Sequence, residues 1–287
     1  MVGEPFVIQY GKPKNNGTLT CYYQLPDRLS FGRFNFFINI LRTGIQLKIQ
    51  RYKHDSDISW TLGATLTIEL LNCRPNQVTR VFFSSLLEQS DAIKNLISLC
   101  NQHHIPIEIN DKIFNILSPK GNCYVIAEFR KYTGKLSDES HIVLVNPSDM
   151  GNLGTILRTA TGFGIQNIAI IRPSVDCFDP KTIRASMGAL FHTEIEYFDS
   201  IQEYCSKFPK HLRYAFMLSK SAKPLTDIKF QEPCSLIFGN EARGLPAEYA
   251  EFCEPVIIKH LSNIDSLNLS MAVGIAIFEY TRNKIKP

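Results

Sequence analysis

The 287-residue sequence has no apolar run approaching the roughly 18 residues that a membrane-spanning helix requires. Its start, MVGEPFVIQY, lacks a basic stretch followed by an apolar one. Both absences argue against export and bilayer crossing. Metal and redox motifs are missing as well. The eight cysteines (Cys21, Cys73, Cys100, Cys123, Cys177, Cys205, Cys234, Cys253) stand singly, without a CxxC pair or zinc-site spacing, and His103 and His104 lie outside any HExxH pattern. They read as reduced structural thiols of a cytoplasmic protein that holds no metal. Neither GxGxxG nor GxxxxGK[ST] occurs, which weakens dinucleotide and P-loop readings. Internal repeats and low-complexity tracts are absent.

What remains is the makeup of an ordinary globular chain, 44% hydrophobic and 20% charged, long enough for one large domain or two smaller ones. The net charge of +4 is unevenly placed: residues 1–135 hold 16 Lys+Arg against 10 Asp+Glu, net +6, and the remainder 15 against 17, net −2. Arg28, Arg33, Arg42, Lys48, Arg51 and Lys53 follow one another without an intervening acid, among Phe31, Phe34, Phe36, Phe37 and Tyr52. Cations neutralise phosphate and aromatic faces stack on unpaired bases, so Arg28, Arg33, Arg42, Arg51 and Lys53 are candidate RNA contacts. A buried strand or helix with basic flanks would produce the same composition.

The pattern over residues 60–130 predicts a compact three-layer α/β unit: helix over 61–71, strand over 78–85, helix over 91–103, strand over 105–109, helix over 111–118, strand over 122–129. A polar stretch at 131–140, KYTGKLSDES, reads as a linker between this domain and one spanning 141–287. Beyond it, apolar runs at 141–145, 167–171, 194–198, 214–218, 234–239 and 255–259 alternate with helical segments at 153–163 and 200–208. This order implies a mostly parallel sheet with right-handed crossovers. The segment 266–282 is apolar on most sides, as expected of a helix buried on more than one face, in part by a partner subunit. Residues 1–59 give no fold. Parallel sheets of this kind bind ligands at the carboxyl ends of their strands, where Gly151, Gly154, Gly239 and Gly244 fall.

Three segments at those strand ends carry a resemblance. Asn146 to Ala160 (NPSDMGNLGTILRTA) with Phe163-Gly164, Phe238 to Leu245 (FGNEARGL) and Ile264 to Ser270 (IDSLNLS) resemble, in order, the three signatures of the SpoU (TrmH) family of RNA 2′-O-ribose methyltransferases. Arg184 to Phe191 (RASMGALF) is also similar to that family. The resemblance covers residues 140–285. It implies a SPOUT fold, with a parallel sheet and a C-terminal deep trefoil knot, acting as a homodimer on structured RNA with S-adenosylmethionine as cofactor. Residues 60–130 look similar to an L30e-like substrate-binding domain, which favours ribosomal over transfer RNA.

The residues implied by the resemblance are specific. Arg158, Asn152, Glu241, Ser266 and Asn268 match catalytic positions. Leu218, Ser219, Phe238, Gly239, Asn240, Ile258, His260, Leu267 and Asn268 match cofactor-binding ones. If Asn152 starts a helix, Arg158 lies about one and a half turns further on, bordering the same cleft. A guanidinium is a poor proton acceptor, so Arg158 suits positioning and stabilisation of a developing alkoxide better than base catalysis. The bland readings are a surface ion pair for Arg158, a turn for Gly239, a helix-terminal acid for Glu241 and a helix cap for Ser266. The sequence departs from the family in having Ile258-Lys259-His260 where many relatives have Ile-Pro-Met, and Asp265 for the usual glutamate. A base-nitrogen methyltransferase of the same superfamily, and a noncatalytic RNA-binding protein with a degenerate pocket, are the alternative functions.

Overall fold

A computed structural model describes residues 51–118 and 121–284, together with two short antiparallel strands, β1 (Ile8–Tyr10) and β2 (Cys21–Tyr23). Arg28, Arg33 and Arg42, expected to contact RNA, lie outside the described residues. The chain divides into two compact units, Met1–Lys131 and Tyr132–Pro287. No helix among the described residues is long and apolar enough to cross a membrane.

The first unit contains a four-stranded sheet of β3 (Ile58–Leu62), β4 (Val78–Phe83), β5 (Ile107–Ile109) and β6 (Val125–Arg130) in the order β3-β6-β4-β5. Only the β4–β5 pair is parallel. Helices α1 (Ala64–Cys73), α2 (Asp91–Gln102) and α3 (Asp111–Leu117) complete it. Ile113 and Phe114 of α3 pack on Trp60, Phe82 and Ile126. The helix expected over 61–71 starts later than the pattern suggests. Thr61 and Leu62 belong to β3, paired with Ala127 and Ile126, and Gly63 at φ 118° turns the chain into α1. Thr67 fixes that corner through its hydroxyl, which donates to the Gly63 carbonyl at 2.9 Å.

The second unit is a seven-stranded sheet in which every pairing is parallel. Its strands are β7 (His141–Val145), β8 (Asn167–Ile171), β9 (Glu194–Phe198), β10 (Leu212–Phe216), β11 (Lys223–Pro224), β12 (Cys234–Phe238) and β13 (Glu254–Ile257). They run in the order β11-β13-β10-β12-β7-β8-β9. β7, β8 and β12 are buried along their whole length, which is why HIVLV, NIAII and CSLIF read as continuous apolar runs. Helices α4 (Met150–Gly162), α5 (Pro180–Ala185), α6 (Ile201–Lys207), α7 (Tyr249–Phe252) and α8 (Leu269–Thr281) connect and cover the sheet. Of residues 131–140, expected to be a linker, Lys131 is held in the first unit, its N–H donating to the Asp57 carbonyl at 2.8 Å, while Gly134, Leu136 and Ser137 are pinned along the second unit. Gly134 donates to the Ile195 carbonyl at 3.1 Å, and a Cβ there would meet the Ile195 nitrogen at 2.5 Å.

Local chemistry explains most helix ends. Asp149 caps α4, and Ser200 with Glu203 forms a reciprocal capping pair on α6, Ser200 Oγ accepting the Glu203 N–H and Glu203 accepting the Asp199 N–H. α4 and α5 approach closely because Gly154 has no side chain: a Cβ there would lie 2.4 Å from that of Ala185. α8 buries Leu269, Val273, Ala276, Ile277 and Tyr280, and exposes Met271, Ile275 and Phe278 along its other side.

At the amino ends of the strands a polar chain is buried in the core. His141 Nε2 faces the Ser137 carbonyl at 2.8 Å, so that nitrogen carries the proton. Its Nδ1 accepts the Tyr204 hydroxyl at 2.8 Å, Tyr204 accepts Ser235 Oγ at 2.7 Å, and Ser235 accepts His211 Nδ1 at 3.1 Å. One proton direction runs from His211 through Ser235 and Tyr204 to His141, with both imidazoles neutral.

Candidate active site at the carboxyl ends of the strands

After β7 the chain turns through Asn146, which is left-handed at φ 52°, and enters α4 two residues past Ser148. Asp149 Oδ1 accepts the Asn152 N–H at 2.7 Å, so Asn152 sits in the first turn and Asp149, not Asn152, begins the helix.

After β12 the chain folds back on itself. The Gly244 N–H donates to the Asn240 carbonyl at 2.9 Å, with Gly244 at φ 67°. A Cβ on Gly239 would lie 2.2 Å from the Gly244 carbonyl carbon, so glycine at 239 is a steric requirement of loop closure. Asn240 holds the loop from inside: its Oδ1 accepts the Ala242 and Arg243 N–H groups at 3.0 and 3.2 Å, and its Nδ2 donates to the Asn146 carbonyl at 2.8 Å.

Glu241 joins this loop to the one after β7. Its Oε2 accepts the Ser148 N–H at 3.0 Å, the Ser148 hydroxyl at 2.6 Å and Asn240 Nδ2 at 3.3 Å. Its Oε1 accepts the Asp149 N–H at 3.1 Å and Asn152 Nδ2 at 3.3 Å. Partial burial acts to raise the carboxyl's pKa, but the donors from Ser148 and Asn152 outweigh it and hold the group below the ordinary glutamate range. A carboxylate offers about four acceptor directions, so five donors leave little for anything else.

Asn268 completes the constellation as the cap of α8. Its Oδ1 accepts the Ser270 N–H at 2.9 Å, the Ser270 hydroxyl at 2.7 Å and the Met271 N–H at 3.4 Å, while its Nδ2 donates to Asn152 Oδ1 at 3.1 Å.

Beside this network a cavity of about 420 Å³ opens at the ends of β10, β12 and β13. Phe216 and Phe238 stack at 4.4 Å on its floor, and Val256, Leu269 and Ala272 add apolar wall. Of the sequence-expected cofactor residues, Leu218, Phe238, Gly239 and Asn240 line it from one side. Ile258, His260 and Leu267 line it from the other, with His260 Nδ1 on the Ile258 carbonyl at 2.9 Å. Glu241 and Ser266 also reach it. Ser219 does not line the cavity, its hydroxyl meeting that of Ser221 at 2.9 Å. Asn268 and Asn152 stand behind the cavity, reaching it through Glu241.

Arg158 is placed differently. It is exposed on α4, outside the lining of the cavity, with no hydrogen bond or ion pair to the described residues. Arg51 and Lys53 are exposed in the first unit. Sequence reasoning passed over Ser148, Arg243 and Phe216. The first two lie inside the quoted motifs, and Ser148, next to the α4 cap, could have been marked as a loop-fixing hydroxyl.

The family model described as SpoU rRNA Methylase family matches residues 139–278. The second unit belongs to that family. Curated proteins are similar to the chain as well. One is an uncharacterized tRNA/rRNA methyltransferase of Synechocystis, 34% identical over 145 residues, 50% of this chain and 53% of that one. Another is the 23S rRNA (guanosine(2553)-2′-O)-methyltransferase of Bacillus subtilis, 28% identical, covering 50% of this chain and 59% of that one. The chain thus spans little more than half the length of these two relatives. An AdoMet-bound rRNA methyltransferase from Sinorhizobium meliloti shares the fold at TM-score 0.68 and 24% identity, over 80% of this chain and 89% of that structure.

Proposed function

We propose that the chain transfers a methyl group from S-adenosylmethionine to a ribose 2′-hydroxyl of RNA, ribosomal RNA in preference to transfer RNA. The carrying observation is the cavity at the ends of β10, β12 and β13, bordered by Glu241, which connects all three SpoU signatures through Asn152 and Asn268. Its size suits a nucleoside-sized ligand. Its walls, two stacked phenylalanines with aliphatic neighbours and loop backbone around Gly239 and Ile258, suit a flat base and a folded amino-acid tail rather than a hard metal. When bound there, S-adenosylmethionine supplies the activated methyl group.

The chain's own residues then do the rest. The cavity holds the donor, and Glu241 fixes the two loops at its mouth. Arg158, a delocalised cation without a partner among the described residues, is available to engage an RNA phosphate and to stabilise the developing alkoxide. Names among the relatives support the substrate class: the B. subtilis protein is a 23S rRNA 2′-O-methyltransferase.

Further features of the same reading concern assembly. The insertion of β13 between β10 and β11, ahead of α8, supports a trefoil knot in the C-terminal chain. The exposed Met271, Ile275 and Phe278 stripe supports a homodimer through α8. The first unit, read as L30e-like, supplies the RNA grip with Arg51 and Lys53, and the cysteines, scattered singly along the sequence, fit the cytoplasm. The reading assigns no metal.

The test is incubation of the full chain with S-adenosylmethionine and total ribosomal or transfer RNA, followed by alkaline hydrolysis. A 2′-O-methyl group blocks cleavage at the next phosphodiester. Methylation confined to a base nitrogen, or absence of S-adenosylmethionine binding at millimolar concentration, overturns the proposal.

A further inference from the structure

From the hydrogen-bond polarity around Asn152 we infer that this residue is a positioning residue, a relay that makes the helix cap at Asn268 and the carboxylate at Glu241 depend on each other without touching. The inference deepens the proposed function, on which its reading of the site rests, by removing Asn152 and Glu241 from the groups that act on the ribose.

The argument runs from the one end whose orientation is fixed. Asn268 caps α8 with its side-chain oxygen, because the Ser270 and Met271 N–H groups can meet only an acceptor. Its other end must therefore be NH₂. That NH₂ points at Asn152, so Asn152 must offer its oxygen. Asn152 is left with NH₂ on the opposite side, where it meets Glu241 Oε1. Amide orientation along this line is dictated by a backbone cap at one end and a carboxylate at the other. Both ends of Asn152 are occupied, and Glu241 already serves Ser148, Asp149 and Asn240. Glu241, with five donors on its two oxygens, has no open acceptor position for a substrate proton, and the Asn152 amide is not a base.

Glu241 belongs to the loop that lines the cavity, and α8 supplies Leu269 and Ala272 to its wall. A reversed amide at Asn152 would place its oxygen against the Glu241 carboxylate and push the walls apart. The relay thus ties the width of the cavity to the capping of a helix in another segment of the chain.

Polarity makes the inference testable. Asn268→Asp keeps the helix cap but presents an acceptor to Asn152, forcing its amide to turn and set oxygen against oxygen at Glu241. Glu241→Gln then offers an NH₂ to the turned amide. The full chain is measured for S-adenosylhomocysteine affinity by calorimetry and for melting temperature without ligand. Each single change is expected to weaken binding about tenfold. The double variant is expected to bind within a few-fold of either single one, and its melting temperature to recover above that of Asn268→Asp alone.

Additive losses, near a hundredfold in the double variant, overturn the relay. So does unchanged binding and melting in Asn268→Asp. Should Glu241→Gln fail to fold, Asn152→Leu serves instead: with the relay gone, adding Asn268→Asp must cost nothing further, and an added loss overturns the inference. If the unaltered chain binds no S-adenosylhomocysteine, the proposed function fails, while the ligand-free melting cycle still decides the relay.

Discussion

Asn268 Nδ2 stands 3.1 Å from Asn152 Oδ1 across 116 positions of sequence, and this bond is where the chain's third signature meets its first. The second signature enters one bond later, at Glu241. Residues that look like three separate motifs in the sequence are one hydrogen-bonded object in the fold, and the cavity beside it has its walls set by that object.

Replacing Gly239 by alanine places a methyl group 2.2–2.4 Å from the backbone of Gly244 and Leu245. Backbone cannot yield as a side-chain tip does, so the loop must open. The expected outcome is a loss of roughly 1–3 kcal/mol in stability and at least about a tenfold loss of S-adenosylmethionine affinity, read by urea melts and calorimetry. Wild-type affinity in Gly239→Ala would contradict the closure described for this loop.

Arg158→Lys separates binding from turnover. Because the guanidinium lies outside the cavity lining, S-adenosylmethionine affinity should stay within about twofold of the unaltered chain. Methyl transfer should fall by at least about a hundredfold, since a point charge does not reproduce a planar fork. Equal losses in both would place Arg158 at the cofactor instead.

Acid should destabilise the second unit through His141. Burial pushes the ring's pKa down to about 4 from its ordinary 6.5, helped by the neighbouring His211 and opposed by the Ser137 carbonyl. The folded chain therefore takes up the proton less readily than the unfolded one. Stability is complete above pH 6.5 and declines as pH falls toward 4, by up to about 3 kcal/mol. Urea midpoints measured between pH 7.5 and 4.5 should show the decline, and an His141→Asn variant, already less stable at pH 7.5, should show a shallower one. A slope unchanged in that variant would assign the acid sensitivity to other groups.

Phe278→Glu tests the uncovered side of α8. A carboxylate amid Met271, Ile275 and the partner's equivalent surface should convert a dimer to monomers in sedimentation velocity, with little change in the melting of the isolated fold, because Phe278 is 55% exposed. A chain that sediments as a monomer before any substitution removes the basis for the dimer.

Much of the second unit was legible in the sequence for a physical reason. Strands such as β7 and β8 are covered on both faces, so every position is apolar and no period needs to be detected. The corner at Gly63 was less legible: Thr61 and Leu62 continue a helix-compatible pattern, and only pairing with Ala127 and Ile126 of β6, 66 and 64 positions away, makes them strand. Site membership divided along similar lines. Backbone-anchored positions such as Gly239 and Ile258 fell where the motifs suggested, since a strand end fixes them. Arg158 did not join the cavity, because which side of α4 it occupies is decided by Gly154 packing on α5 and by the meeting of Asn152 with Asn268, neither visible from spacing alone.

Of the described strands, β13 is the last to be synthesised, yet it lies inside the sheet between β10 and β11. Until the ribosome has released residue 257, β10 and β11 lack the strand between them, and the cavity lacks one of its sides. The nascent second unit must therefore wait, open and adhesive, for that strand, while the first unit, whose strands all precede residue 131, can finish earlier.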